Sequence, residues 1–230
     1  FVKNHFYHPL NEIVSYWENK CNNFNKVLEI GPGITPFSKA NIYIDSQKWN
    51  NPNINVFNYD IDVNDLSSLG NIDFVYCRHV MEDIQNPDFA CKNLFRISKN
   101  GYIETPSPIV EILKNIDVFP LANSYRGYIH HRYLVWTELS TNTLWFMPKF
   151  PLIDHIKLDN NLENQLINLV NNNKYYWNNM YYWDEQNKPN VKIYKHGDNF
   201  QIQKNYLEKI LNGIDLNKQS TENFIHKFIN

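Results

Sequence analysis

Glu29-Ile30-Gly31-Pro32-Gly33, followed in sequence by Asp45, has the residue types and order that a nucleoside-containing cofactor requires. Glycines let the backbone approach a ligand closely. A carboxylate at the end of the following strand can accept charge-assisted hydrogen bonds from both ribose hydroxyls. Asp45 is the expected ribose acid, with Ser46 beside it. A dinucleotide site is built in the same way, but the third glycine of its fingerprint is missing, and Thr35 stands there. Only residues 35–40 separate the glycine loop from the next apolar run, which limits any helix facing a pyrophosphate to about one or two turns. NAD and FAD are therefore disfavoured.

Strands are needed to bring these residues to one edge. Short apolar runs at KVLEIGPG (26–33), NIYID (41–45), NINVFNYD (53–60), IDFVYC (72–77) and GYIETP (101–106) read as five strands, the first three ending near an acid. Asn86 at an N-cap position, Pro87 at the first helical position, and Ala90, Cys91, Leu94, Phe95 and Ile97 along one face predict a helix between the fourth and fifth. Nearly continuous hydrophobic strands separated by turns and helices imply a parallel sheet covered on both faces, a doubly wound α/β core. Leu10, Ile13, Val14, Trp17 and Cys21 form the stripe of an amphipathic helix ahead of it, read as a lid. In the second half, residues 131–139 and 141–150 read as a hairpin, and 173–183 and 190–194 as further strands. Helices are expected around Leu162 to Val170 and Tyr206 to Ile214. With no repeat and no long linker, the second half is expected to elaborate the same sheet.

Across residues 26–108 these motifs resemble the class I S-adenosylmethionine-dependent methyltransferases. VLEIGPG is similar to their first motif, YID to the segment carrying the ribose acid, DIDVNDL to the adenine-contacting stretch, and IDFVYCRHVMEDI to the fourth-strand region facing the methyl donor. The short Pro36-Phe37 loop and the GYIETP segment resemble a bacterial-type subgroup. The resemblance implies a Rossmann-like, mostly parallel sheet in a single domain: residues 1–25 as helical lid, 26–108 as cofactor core, and 109–230 as a β-rich acceptor side. It also implies S-adenosylmethionine as cofactor, S-adenosylhomocysteine as product, and a cofactor site of Glu29, Gly31, Pro32, Gly33, Asp45, Ser46, Asp60, Asp62, Cys77, Arg78 and His79. Asp62 ranks ahead of Asp60 for the adenine on family spacing. Two departures stand out: Thr35 in place of the third glycine, and Asp83 where many relatives carry a second histidine.

Methyl transfer to a hydroxyl benefits from a positioned base, and a histidine supplies one near neutral pH. His79 follows the fourth strand, His130 and His131 precede the hairpin, and Glu104 ends the fifth strand, so these four are the catalytic candidates. Adjacent histidines at a strand start would point to opposite sides, leaving one to face the site. The catechol-type metal site is not recognisable, and no metal is expected. The cluster Tyr175, Tyr176, Trp177, Tyr181, Tyr182 and Trp183 suits sugar stacking but more often means core or dimer packing. A small polar acceptor follows, with a sugar or nucleotide-sugar hydroxyl leading. An amine acceptor and a catalytically silent partner subunit are the alternatives, and a homodimer is a further expectation.

Composition narrows the classes. With 230 residues, 43% hydrophobic and 20% charged, the chain is globular rather than disordered or fibrous. A net charge of −2 without a basic stripe counts against a dedicated nucleic-acid reader and against an RNA methyltransferase. Cys21, Cys77 and Cys91 form neither a disulfide framework nor a thiolate zinc site. No run is long and apolar enough to span a bilayer, and the opening FVKNHFYHPLNEIV lacks signal-peptide order, so a soluble cytoplasmic protein is expected.

Overall fold

Strand residues alternate between two covers, and that alternation builds the molecule. In the computed structural model, which describes residues 10–47, 53–114, 116, 125–195 and 202–230, the strands β1 (Val27–Ile30), β2 (Ile42–Asp45), β3 (Val56–Asn58), β4 (Phe74–Arg78), β5 (Gly101–Pro106) and β8 (Asn178–Trp183) form one sheet in the order β3-β2-β1-β4-β5-β8. Its pairs are parallel except β5 with β8. One face presents Val27, Phe74, Tyr76, Tyr102 and Met180 to α1 (Asn11–Cys21) and to Phe224 of α5 (Ile202–Phe228), around a fully buried Trp17. The other presents Leu28, Ile30, Val75, Cys77, Ile103 and Trp183 to α2 (Pro87–Ile97). Burial of aromatic and aliphatic side chains on both faces is the main stabilising term, worth about 1.5–3 kcal/mol for each large one.

The doubly wound core is thus the one expected. From β1 the chain runs outward to β2 and β3, then crosses to β4 on the other side of β1, and this reversal opens a crevice beyond the carboxyl ends of β1 and β4. At the far edge, Gly101 pairs directly with Trp183, and a Cβ at Gly101 would lie 2.1 Å from the indole, so glycine is what admits that ring.

The second half departs from expectation. β8 does extend the main sheet, but β6 (Tyr133–Glu138), β7 (Thr143–Pro148) and β9 (Asn190–Ile193) form a separate three-stranded sheet. Val135, Leu144 and Phe146 lay this second sheet on the α2 side of the first. Its other side closes a second core with α3 (Pro108–Ile112), α4 (Asn160–Asn172) and the start of α5. Residues 174–177, expected as strand, make a 3-10 turn, because the Asn173 side chain accepts the Tyr175 N–H and turns the chain first. Near the end, α5 runs on to Phe228, since buried Asn217, Ser220 and Thr221 continue a stripe that apolar periodicity alone does not reveal. Among the described residues no helix is long and apolar enough to cross a membrane.

Candidate functional site

The glycine loop forms the floor of the crevice. Gly31 (φ 67°) and Gly33 (φ 53°) both take the left-handed conformation that side chains resist. A Cβ on Gly31 would meet Val80 Cγ2 at 2.5 Å, whereas at Gly33 nothing lies within 4 Å. Glu29 steadies the loop by accepting the Phe37 N–H at 2.8 Å, and Phe37 stacks on Tyr76. Burial pushes the Glu29 carboxyl up to about 8, although the Phe37 N–H and the Arg78 charge pull the other way. No helix forms between residues 31 and 41, so even the one or two turns allowed by the sequence are absent, and with them any helix N-terminus facing a pyrophosphate.

Two adjoining cavities open here, sharing Gly31, Gly33, Ile34 and His79. The smaller, about 240 Å³, is walled by Glu18 of α1, Glu29, Pro32 and Arg78. The larger, about 420 Å³, is walled by Asp45, Ser46, Asp60, Asp62 and Asp83. The expected lid helix therefore packs onto the sheet through Trp17 and lends only its Val14 and Glu18 edge to the cavity. Asp45 ends β2 and accepts the Gln47 N–H at 2.8 Å. Asp60 Oδ1 accepts the Asp62 N–H at 2.9 Å. Asp62 is engaged more heavily, with its carboxylate taking the N–H groups of Gln85 and Asn86 and so fixing the entry to α2, where Asn86 itself makes no side-chain cap.

Cys77, His79 and Glu104 are each held by neighbours on the sheet. Cys77 is fully buried against α2 on the opposite face of β4 from Tyr76 and lines neither cavity, because neighbours on a strand point to opposite sides. His79 stands beyond β4 at φ 52°, a left-handed position that costs a non-glycine residue on the order of 1–3 kcal/mol. Its N–H donates to the Glu104 carbonyl at 2.8 Å, Nδ1 lies 3.2 Å from Glu82 Oε1, and Nε2 lies 3.6 Å from Glu104 Oε1. Burial disfavours the imidazolium, but Glu104 and Glu82 outweigh it and raise the pKa. Glu104 in turn is opposed by burial yet brought down to about 2 by His79 and Arg78, whose Nε donates to it at 2.9 Å. The pair thus raises the proton affinity of the imidazole, lowers that of the carboxylate, and braces the end of β4 against β5.

The tandem histidines also depart from expectation. β6 begins only at Tyr133, so the strand alternation does not reach them; in the preceding turn their rings lie 4.4 Å apart. One ligand atom from each of Asp83, His130 and His131 falls within 4.8 Å of the others. His131, buried, faces Glu111 Oε1 through Nδ1 at 2.6 Å and Glu82 Oε1 through Nε2 at 3.9 Å. Lys149, fully buried, donates to Glu111 Oε2 and to the Tyr128 carbonyl. Burial pushes Asp83 up to about 7, with the Glu82 charge adding to it. Sequence reasoning missed Glu82, Asp83 and Glu111 as site residues; an acid inside the apolar run PIVEI was the available signal. Of the aromatic cluster over residues 175–183, Tyr176, Trp177, Tyr181 and Trp183 are buried in the cores, and Tyr175 and Tyr182 are partly exposed.

No family model matches the chain, and no curated protein matches it. Among solved structures it is similar to two methyltransferases and to a domain solved with SAH bound. The N-terminal domain of EvdMO1 with SAH bound aligns at a TM-score of 0.37 and 16% identity, over 42% of this chain and 49% of that one. The plantazolicin methyltransferase BpumL, in complex with a monoazolic desmethylPZN analog and SAH, aligns at 0.33 and 18%, over 41% and 44%. A methyltransferase from Mesorhizobium loti aligns at 0.30 and 13%, over 38% and 50%. The aligned part spans about half the length of these proteins.

Proposed function

We propose that this chain is an S-adenosylmethionine-dependent methyltransferase acting on a small polar acceptor. The observation that carries the reading is the crevice itself: a left-handed glycine loop with no helix behind it, opening onto the carboxylates of Glu18, Asp45, Asp60 and Asp62. Such carboxylates repel a pyrophosphate and attract a ligand bearing sulfonium and ammonium charges. When bound, the cofactor supplies an electrophilic methyl group. Glu29 and the loop Gly31-Pro32-Gly33 hold its amino-acid end, Asp45 and Ser46 the ribose, and Asp60 and Asp62 the adenine. Asp60 takes the larger share, since Asp62 is committed to α2. His79 lies between the two cavities and Arg78 on the smaller one, both braced by Glu104.

Residues 26–108 hold the cofactor in this reading and 109–230 complete the acceptor side, with the acceptor hydroxyl turned to the corner of Asp83, His130 and His131. A sugar or nucleotide-sugar hydroxyl suits the polar walls best. An amino sugar or other small amine needs only a neutral nitrogen. The engagement of His79 with Glu104 favours, as a second reading, a silent cofactor-binding subunit.

Isothermal titration with S-adenosylmethionine, S-adenosylhomocysteine and NAD tests this, followed by a panel of nucleotide sugars. Micromolar binding of the first two and none of NAD is the expected result. Binding of NAD alone, or of none of the three, overturns the proposal.

A further inference from the structure

We propose that Asp83, His130 and His131 bind a divalent transition-metal ion at the rim of the larger cavity. Their ligand atoms already lie within 4.8 Å of one another. Metal bonds of about 2.0–2.2 Å ask for somewhat closer spacing, which rotation of the exposed His130 ring supplies. Two imidazoles and one carboxylate suit ions such as zinc, cobalt, iron or manganese better than magnesium or calcium, which prefer oxygen throughout.

The surroundings are built for this role. Nδ1 of His131 meets Glu111 Oε1 at 2.6 Å, the outer carboxylate that orients a metal-binding imidazole and leaves Nε2 to face the ion. Buried Lys149 fixes the second oxygen of Glu111. The histidine loop is pinned onto α3: the Gly127 N–H donates to the Leu113 carbonyl at 2.8 Å, and Arg126 donates to the Ile112 carbonyl at 2.6 Å. Gly127 makes this approach feasible, because a Cβ there would stand 2.4 Å from Glu111 Oε2 and 2.6 Å from the Glu111 backbone. On the facing side, Oδ1 of Asp83 and Oε2 of Glu82 are buried acceptors with no hydrogen-bond partner. Such groups are costly in a folded protein; a cation held by Asp83 supplies a partner there, and its charge offsets that of neighbouring Glu82.

Three protein ligands leave coordination positions open, and Asp83 is the ligand that also lines the cavity, which puts the site next to an acceptor bound there. An acceptor hydroxyl, or two neighbouring oxygens of one acceptor, would occupy them, and a coordinated hydroxyl gives up its proton more readily than a free one. This role toward the acceptor rests on the methyltransferase reading; the metal site does not.

The test uses the full chain, stripped with a chelator and titrated with cobalt(II) alone, without cofactor, while its visible d–d absorption is followed. One equivalent should bind, zinc should displace it, and excess magnesium should not. Asp83→Asn and His131→Gln should weaken binding about a hundred-fold, and His226→Gln, on the surface of α5, should leave it unchanged. His130→Gln, at an exposed position, serves if the buried variants do not fold, and should weaken binding roughly tenfold. Absence of the cobalt band, displacement by magnesium, or unaltered binding in His130→Gln overturns the proposal. The cofactor titration above can fail without touching this result, and the reverse also holds.

Discussion

Asp45 is where the cofactor reading can be tested most sharply with one substitution. It sits at the last position of β2, paired in register with Asn58 of β3, and its Oδ1 already accepts the Gln47 N–H at 2.8 Å. The carboxylate is thus oriented before any ligand arrives, and little ordering has to accompany binding. Asp45→Ala removes charge-assisted hydrogen bonds worth about 1.5–3 kcal/mol, so S-adenosylmethionine affinity should fall roughly ten- to a hundred-fold. Titration calorimetry reads this directly, and an unchanged affinity would remove Asp45 as the ribose acid. The type and position of Asp45 were legible in the sequence because strand, glycines and acid are close neighbours along it. The states of His79 and Glu104 were not. They depend on the contact of Arg78 with Glu104, 26 positions away, and on Glu82, which is close to His79 in sequence but meets it only through the left-handed turn after β4.

At the scale of elements, Asp62 shows how a residue in a ligand pocket can also be a strut. It reaches from the segment after β3 to the N–H groups of Gln85 and Asn86, and thereby sets where α2 begins. Those N–H groups are exposed enough for water to replace the lost acceptor, so Asp62→Ala should cost about 1 kcal/mol, or roughly 2–4 °C in Tm. Thermal unfolding followed by circular dichroism measures this; an unchanged Tm would mean that α2 starts without it. Five strands, α2 and the β6–β7 hairpin were legible, since each carries its own apolar period. That β6, β7 and β9 would leave the main sheet was not legible. Strand pairing over long separations is decided by which edges are vacant, and β8 occupies the β5 edge by fitting Trp183 over Gly101. The gathering of Asp83, His130, His131 and Glu111 is of the same kind, because α3 and a turn from the second half must meet the end of β4 before those residues become neighbours.

Over the whole molecule, the buried acids give opposite contributions to stability as pH changes, and Glu29 is the one whose effect can be isolated. Burial holds its carboxyl at about 8, far above the ordinary value of 4.5, with Arg78 as the opposing charge. A group with a raised folded pKa binds its proton more tightly in the folded than in the unfolded chain. Its contribution is therefore complete below about pH 4.5, declines as the unfolded state releases its proton, and is gone once pH passes about 8. Glu104 and Glu111, brought down to about 2, act in the opposite sense: their contributions are complete above the ordinary carboxylate range and are lost only in acid. They add no slope between pH 5 and 8, whereas His79 and His131, whose values are raised, share the direction of Glu29. Stability should therefore be greatest on the acid side of neutrality. A neutral amide at position 29 keeps an acceptor for the Phe37 N–H without the proton, so Glu29→Gln should flatten the decline by an amount on the order of a few kcal/mol. Urea unfolding of both chains at pH 5 and pH 8.5 measures the difference. The natural chain should lose clearly more stability than Glu29→Gln between the two; equal losses would show that Glu29 is ionised in the folded protein throughout this range.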